Sequence, residues 1–334
     1  MEKSLGMKPK RYIVKLFLLF AFLIITVFLA LLVGSESIGA AKLAGIIFGA
    51  EDNSFLHSII FDIRLPRVIL ALAVGGGLSI AGAVFQATLM NPLAEPYILG
   101  ISSGGAFGAV LSFMLGLSFF STQLFAFAGT LSVVFIVFFL GRRFGELEPN
   151  TLLLSGVMVG AFLSAVILVM ITLLNESLRS AIFWLMGNLS GANGSNVYYI
   201  FAVSIAISIF LSVNSNKYNL LSLGTESAST LGLETNRLKN VTYISASILT
   251  GAVVSVSGII GFIGLIVPHF CRMIFGLDNR IVVPASFFVG AIFLIIADAV
   301  ARTIISPAEL PVGAITAILG APVFIYLLRK RFNA

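Results

Sequence analysis

Long apolar stretches without charged residues constrain this chain more than any other feature, and the run from Leu16 to Val33 is the clearest of them. A helix needs about 20 apolar residues to cross a bilayer, whereas barrel strands alternate polar and apolar positions over about ten residues. Hydrophobic residues make up 59% of the chain and charged residues only 10%, which excludes an ordinary soluble domain. The sequence therefore predicts an all-α polytopic membrane protein.

Polar breaks divide the sequence into about ten predicted transmembrane helices within a single domain over residues 1–334. These predicted spans 1 to 10 cover residues 12–34, 66–87, 98–117, 122–141, 150–174, 195–213, 240–259, 261–276, 281–303 and 311–329. Almost no polar residue separates spans 7 and 8. Because Gly258, Gly261 and Gly264, followed by Pro268, favour kinking, we expect a single bent element there.

The basic residues predict the orientation. If the basic N-terminus is cytoplasmic, ten spans return the C-terminus to the same side, and most of the 20 Lys and Arg residues lie inside. The basic N-terminal run resembles that of a signal peptide, but its apolar stretch is too long, so an uncleaved first helix is expected. The exceptions to the inside bias are Lys42, Arg64, Arg67, Arg179 and Arg302.

Several kinds of chemistry have no sequence support. The absence of a Gly-Lys dipeptide excludes a Walker A loop, and neither His57, His269 nor Cys271 lies in a metal-binding motif, so no cofactor is expected in the chain. An ion-coupled carrier needs charged relay residues within the membrane. Asp298 is the one acidic residue deep in a span, and Arg302 four residues later is expected to neutralise it. An external motor is therefore favoured over an ion-coupled secondary transporter or an embedded enzyme.

Glycine and proline mark the second and third spans. Gly100, Gly104 and Gly108 recur every four residues and share one helical face, which indicates helix packing or, alternatively, the lining of a wide translocation path. The dipeptides Asn91-Pro92 and Glu95-Pro96 interrupt helix between these spans. Since irregular backbone at membrane depth must face protein or water, a cavity is expected beside them.

The least membrane-like stretch is the predicted inside loop at about 214–239. Leucines recur among its polar residues, which predicts two short amphipathic helices joined near Gly224. An interfacial loop on the lipid headgroups and a docking surface for a cytoplasmic partner remain the two interpretations.

Several long motifs occur in order along the chain. They are RLPR at 64–67, GAVFQATLMNPLAEPYILGISSGGAFGA at 82–109, WLMGNLSGA at 184–192, GFIGLIVPHFCRMIFGLDNR at 261–280, ADAVAR at 297–302 and SPAELPVGAITAILGAPVFIYLL at 306–328. Together they resemble the permease subunit of type II ABC importers, the FecCD-type family that imports iron-siderophore complexes, haem and cobalamin. The resemblance covers nearly the whole chain from span 2 onward.

The resemblance implies a homodimer of ten-helix subunits in a bacterial or archaeal plasma (inner) membrane, with helices 2 to 5 and 7 to 10 related by inverted topology. A cytoplasmic ABC ATPase dimer would hold ATP and Mg²⁺, so the chain itself would be no enzyme. An extracytoplasmic solute-binding protein would deliver the cargo. Membrane lipid surrounds such a subunit, and no nucleic acid partner is expected.

The resemblance also implies functional residues. The ATPase-coupling residues lie in the 214–239 loop and are Gly224, Glu226, Ala228, Leu231, Gly232 and Leu233. Arg64, Arg67 and Arg302 correspond to outer-face arginines that pair with glutamates of the binding protein, although arginines at helix ends also snorkel to headgroups.

A translocation pathway is implied at the start of span 5 and at the break between spans 2 and 3. Its candidate lining residues are Ser155, Gly156, Gly160, Asn91 and Pro92, for which packing in the core is an equally good explanation. Ferric siderophore leads as cargo, haem and cobalamin are alternatives, and an oxyanion stays open because the binding protein reads the ligand.

Overall fold

A computed structural model describes residues 9–34, 38–47, 49, 54–174, 177–191, 194–305 and 308–332. Its α-helices, in chain order, are α1 (Pro9–Leu32), α2 (Ala40–Ile47), α3 (Ser54–Ser58), α4 (Leu65–Thr88), α5 (Ile101–Met114), α6 (Phe119–Leu140), α7 (Pro149–Thr172), α8 (Leu178–Leu185), α9 (Ser195–Val213), α10 (Ser215–Leu221), α11 (Thr225–Thr230), α12 (Thr235–Ser257), α13 (Ile263–Phe275), α14 (Asn279–Thr303) and α15 (Val312–Phe332). The basic residues Lys3 and Lys8, and Ser306 and Pro307 of the last motif, lie outside the described residues.

Helix α4 lies at the centre of the protein. It packs against α9, α12, α13 and α14, and nearly all of its side chains are buried. A π-helical turn, Ile59–Arg64, joins it to α3 without a break, so that Ser54–Thr88 forms one helical stretch of 35 residues. The predicted start of span 2 at residue 66 is therefore too late, because the helix continues upstream of Pro66 through the π-helical turn.

Glycines allow the central helices to approach backbone to backbone. A methyl group at Gly82 would overlap the carbonyl oxygen of Gly264 on α13, and Gly75 meets Gly290 of α14 in the same way. The predicted glycine face of span 3 has a similar role, since Gly104 lies against the backbone of Gly129 on α6. Gly108 also packs on the α6 backbone, so of the two interpretations the structure shows helix packing for this face.

Seven helical stretches among the described residues are long and apolar enough to cross a membrane, and they coincide with spans 1, 2, 4, 5, 6, 7 and 9. Three shorter apolar helices, α5, α13 and α15, lie where spans 3, 8 and 10 are predicted. In the part of the chain that the structure describes, the regular elements are helices apart from a two-stranded antiparallel hairpin, β1 (Arg142–Arg143) and β2 (Glu146–Leu147). This hairpin and the short helices α2, α3 and α8 had no sequence signal that we recognised.

The prediction of a single bent element across spans 7 and 8 is wrong. Helix α12 ends at Ser257 and α13 begins at Ile263, with non-helical backbone between them. Gly258 has φ +68° and Phe262 has φ +70°, so two residues in the left-handed region end one helix and precede the next. A bent helix would have kept both residues right-handed.

Candidate functional site

Two arginines from two helices meet around one buried carboxylate at the C-terminal end of α14. Arg67 on α4 donates from Nε to both oxygens of Asp298 at 3.0 and 3.1 Å. The Nε of Arg302 lies 3.0 Å from the second Asp298 oxygen. Arg67 also donates from Nη1 to Glu309 at 2.8 Å. We call Arg64, Arg67, Arg302, Asp298 and Glu309 the arginine cluster.

The arginine cluster also caps helix α1. Arg64 donates to the carbonyl oxygens of Leu31 and Leu32 at 2.6 and 3.3 Å, and Arg302 donates to those of Val33 and Ala30 at 3.4 Å. The last carbonyls of a helix lack partners within it and carry partial negative charge. Two guanidinium groups therefore stabilise the end of α1 and fix it against α4 and α14.

The five basic residues that oppose the inside bias fall into two groups. Lys42 and Arg179 are exposed, whereas Arg64, Arg67 and Arg302 are only 4%, 6% and 7% exposed. Snorkelling would leave the charged heads in water, so it does not describe the three buried arginines.

The predicted neutralisation of Asp298 by Arg302 is confirmed. Sequence reasoning missed Arg67 as a second partner of Asp298, because the two residues are 231 positions apart. It also missed Glu309, for which the only signal was its place in the SPAELP motif.

The loop at residues 214–239, which we call the coupling segment after the role that the resemblance implies, folds as the sequence predicts into two short helices, α10 and α11. They meet at Gly224, whose φ is +102°, and α11 is followed by Gly232 with φ +84°. Glu226 and Leu231 are exposed, and Ala228 is buried. Leu233 is half-buried, and its N–H donates to the Ala228 carbonyl at 3.1 Å. The segment thus presents a charged and apolar surface on a rigid base, and it ends sooner than predicted because α12 begins at Thr235.

A polar cluster holds α10 against the start of α14. The Asn219 amide donates to Asp278 at 2.7 Å, and its oxygen accepts from the Asn279 N–H at 2.8 Å. Tyr12 on α1 donates to Asp278 at 2.6 Å, and Arg280 forms an ion pair with Asp278 at 2.6 Å. We call Asn219, Asp278, Asn279, Tyr12 and Arg280 the latch.

The electrostatics of the latch favour a charged carboxylate. Burial disfavours the ionised form of Asp278, but hydrogen bonds from Arg280, Tyr12 and Asn219 outweigh it and hold the pKa of this carboxyl well below its usual range. Asp278 therefore stays ionised throughout the physiological pH range.

The predicted pathway residues separate into packing and exposed positions. Gly156 is buried against the 3₁₀ turn Pro96–Leu99, and Gly160 faces Gly100. Ser155 is half-buried, while Val157 and Met158 on the same helix are 49% and 63% exposed. The structure thus gives Gly156 a packing role, and the exposed face of α7 is apolar.

At the break after α4, Asn91 is half-buried and accepts from the Leu93 N–H at 2.9 Å, and Pro92 is exposed. The break packs against the second break, 258–262, where the Ile260 N–H donates to the Tyr97 hydroxyl at 3.1 Å. The irregular backbone of the two breaks therefore meets protein at this contact, and the cavity expected beside Asn91-Pro92 stays a prediction.

The latch and the arginine cluster lie at opposite ends of one helix. Helix α14 has 25 residues, which at 1.5 Å per residue is about 37 Å, enough to cross the hydrocarbon core of a bilayer. One helix therefore connects the 214–239 segment to the buried arginines, which gives the protein two distinct candidate sites at the two ends of α14.

Comparison with known proteins identifies the family to which this chain belongs. The sequence model of the FecCD transport family matches residues 3–330. The cobalamin import system permease protein BtuC of Halobacterium salinarum is 41% identical over 87% of this chain and 78% of its own length. The hemin transport system permease protein HmuU of Yersinia pestis is 38% identical over 92% of this chain and 94% of its own.

A solved structure of a metal-chelate type ABC transporter in an inward-facing conformation has a similar fold. Its TM-score is 0.85 at 32% identity, and the match covers 94% of this chain and 98% of that one. These likenesses give no support to the alternative of an ion-coupled secondary transporter. The family match, the relatives and the fold agree with the motifs, and the chain belongs to the FecCD transport family of membrane-embedded ABC importer permeases, whose ATP hydrolysis is carried out by a separate ATPase.

Proposed function

We propose that this chain is one of two identical permease subunits of an importer for a bulky iron complex, with ferric siderophore as the leading cargo. Ten spans, with both termini in the cytoplasm and inverted halves in a single domain over 1–334, would form each subunit. A cytoplasmic ATPase dimer would bind the coupling segment and hold ATP and Mg²⁺. A solute-binding protein would dock at the arginine cluster.

The observation that supports this proposal is the separation of two sites along α14. The coupling segment is bound to the first turn of this helix through Asn219, and the arginine cluster is bound to its last turns through Asp298. Movement driven by the ATPases at one end can therefore reach the docking face at the other as a rigid-body displacement. An importer that couples ATP hydrolysis to cargo release needs such a connection.

The cargo proposal draws on the relatives. One is named for cobalamin, one for hemin, and the solved structure for a metal chelate, and all three cargoes are large compared with a simple ion. The exposed apolar face of α7, with Val157 and Met158, suits a pathway that lets such a complex slide without tight binding. Haem and cobalamin remain the alternative cargoes, and the lining role of Ser155, Gly160, Asn91 and Pro92 remains part of the proposal.

The experiment is reconstitution of the permease with its ATPase in liposomes, with its solute-binding protein added outside. We expect ATP-dependent uptake of a ferric siderophore and tight binding of the same compound to the binding protein, followed by intrinsic fluorescence. Uptake of haem or cobalamin instead would contradict the proposed cargo but support the proposed importer function. Uptake driven by a proton or sodium gradient without the ATPase would overturn the proposal.

Charge reversal tests the docking face separately. Arg64→Glu, Arg67→Glu and Arg302→Glu should each abolish docking of the binding protein, while the ATPase continues to co-purify with the permease. If all three variants bind the solute-binding protein with the affinity of the parent chain, the arginine cluster is not the docking site.

A further inference from the structure

We propose that Glu309 occupies, within the chain, the position on Arg67 that a carboxylate of the solute-binding protein takes when that protein docks. The inference rests on the docking role proposed for the arginine cluster and adds its regulation. Before docking, the Glu309 carboxylate binds Arg67. During docking, a carboxylate of the binding protein takes its place.

The two acidic partners of Arg67 differ in how easily they can leave. The side chain of Asp298 is 1% exposed and that of Glu309 is 43% exposed. Asp298 also pairs with Arg302, so its departure would leave two buried guanidinium groups without a counter-ion, which is strongly unfavourable. Glu309 already contacts water, and its release returns a carboxylate to solvent at small cost.

The donors of Arg67 show why Glu309 must move. Its Nε and Nη2 are directed to Asp298 at 2.9 to 3.1 Å, and its Nη1 is directed to Glu309 at 2.8 Å. Arg67 itself is 6% exposed. Of the groups described around it, Glu309 is the one that combines contact with Arg67 and contact with solvent, so an incoming carboxylate reaches the guanidinium at the place where Glu309 now lies.

The backbone around Glu309 permits exchange of the side chain alone. The Leu310 N–H donates to the Ala301 carbonyl at 3.1 Å, and the Ala308 N–H donates to the Ile305 carbonyl at 3.0 Å. These bonds attach the residues on both sides of Glu309 to the end of α14. A rotation of the Glu309 side chain frees Arg67 without breaking either backbone bond.

Exchange has a consequence for specificity. The net charge of the cluster is unchanged when one carboxylate replaces another, so no buried arginine is left unpaired before or after docking. A surface without a suitably placed acidic side chain cannot compete with Glu309. The kind of partner that fits is therefore a protein that presents an Asp or Glu at the centre of a complementary surface, which favours orientation and association rate.

The test measures docking of the binding protein to the permease–ATPase complex in lipid nanodiscs by biolayer interferometry. Glu309→Gln removes the competing charge and keeps the shape, and we expect docking to tighten about three- to tenfold, mainly through faster association. Glu146→Gln, the same change at an exposed residue of the β1–β2 hairpin, should leave docking unchanged. Arg67→Ala should weaken docking more than tenfold. Arg67→Lys keeps the positive charge beside Asp298 and should also lose docking, so it replaces the alanine variant if that variant does not fold.

The outcomes separate this inference from the docking proposal. If the Arg67 variants fold and dock like the parent chain, the docking role of the arginine cluster fails. If they lose docking but Glu309→Gln leaves it unchanged or weakens it, the docking role stands and the exchange is overturned. In the double variant with Arg67→Lys, the gain from Glu309→Gln should shrink, because the two residues act on one bond.

Discussion

Asn219 and Asp278 are joined by a hydrogen bond of 2.7 Å, and the oxygen of the same Asn219 amide accepts from the backbone N–H of Asn279 at 2.8 Å. One side chain of the coupling segment thus binds both the residue that caps α14 and the first residue of that helix. A displacement of α10 cannot leave α14 in place without breaking both bonds.

Replacement of Asn219 tests this connection. Asn219→Ala leaves the Asn279 N–H, in a residue only 5% exposed, without its partner, and we expect a loss of about 1–3 kcal/mol in the free energy of unfolding. Thermal unfolding in detergent measures the effect. Asn216→Ala, on the exposed side of the same helix, is the matched control, and an equal loss in both variants would contradict a specific role for Asn219.

The acidity of Asp278 gives a pH prediction. Since the pKa of Asp278 is held well below its usual range in the folded protein, its contribution to stability is present above the unfolded pKa of about 3.9 and is lost as the pH falls below it. The difference in unfolding temperature between the parent chain and Asp278→Asn should therefore be constant from about pH 8 to 5. A difference that already vanishes near pH 6 would contradict this account of the latch.

The contact between α4 and α13 leaves no room for a side chain. Gly82→Ala places a methyl group on the carbonyl of Gly264, and we expect a loss of at least about 1–3 kcal/mol, as is usual for an overpacked core. Gly261→Ala is the matched control, because no atom lies within 4 Å of the added carbon. Thermal unfolding and size-exclusion chromatography of the two variants should differ clearly, and equal behaviour would show that the helices can separate at little cost.

The hydroxyl of Tyr97 holds the two helix breaks together. Tyr97→Phe removes the acceptor of the Ile260 N–H and keeps the ring, so the expected loss in the free energy of unfolding is about 1–3 kcal/mol. Hydrogen exchange of the 258–262 backbone should become faster in this variant. Unchanged exchange would show that another group replaces the hydroxyl.

Exposed leucine in the coupling segment predicts a contact with the ATPase. Leu231 is 62% exposed, and Leu231→Asp should reduce co-purification of the ATPase at least tenfold, because apolar anchors dominate such interfaces. Leu115→Asp is the control, since Leu115 is 58% exposed and lies at the predicted outer end of span 3. If both variants retain the ATPase, Leu231 does not belong to the interface.

Much of this protein could be predicted from local sequence patterns. The apolar runs predict most span ends to within a few residues, although the second helical stretch begins earlier, at Ser54. Gly224 predicts two short helices, and the motifs predict the family. Each depends on residues close together in the chain, because helix periodicity, hydropathy and helix punctuation act over a few turns.

The left-handed conformation of Phe262 is a feature that local sequence patterns could not predict. Glycine and proline near 258–268 are compatible with a bend as well as with a break, and the choice depends on packing. Gly258 meets the carbonyl of Trp184, and Gly264 meets Pro96 of the first break. These contacts exist only when α8, α12 and the first break are already assembled.

The sequence by itself determined that the chain is a membrane-embedded bundle of helices, with a polar loop at about 214–239 and with Arg64, Arg67 and Arg302 as exceptions to its charge bias. Only the tertiary structure decided that Arg67 and Arg302 share Asp298, that Glu309 covers Arg67, and that Asn219 binds the start of α14. The physical reason is that burial of a charge requires a partner, and the partner is chosen by which helices pack together rather than by distance along the chain.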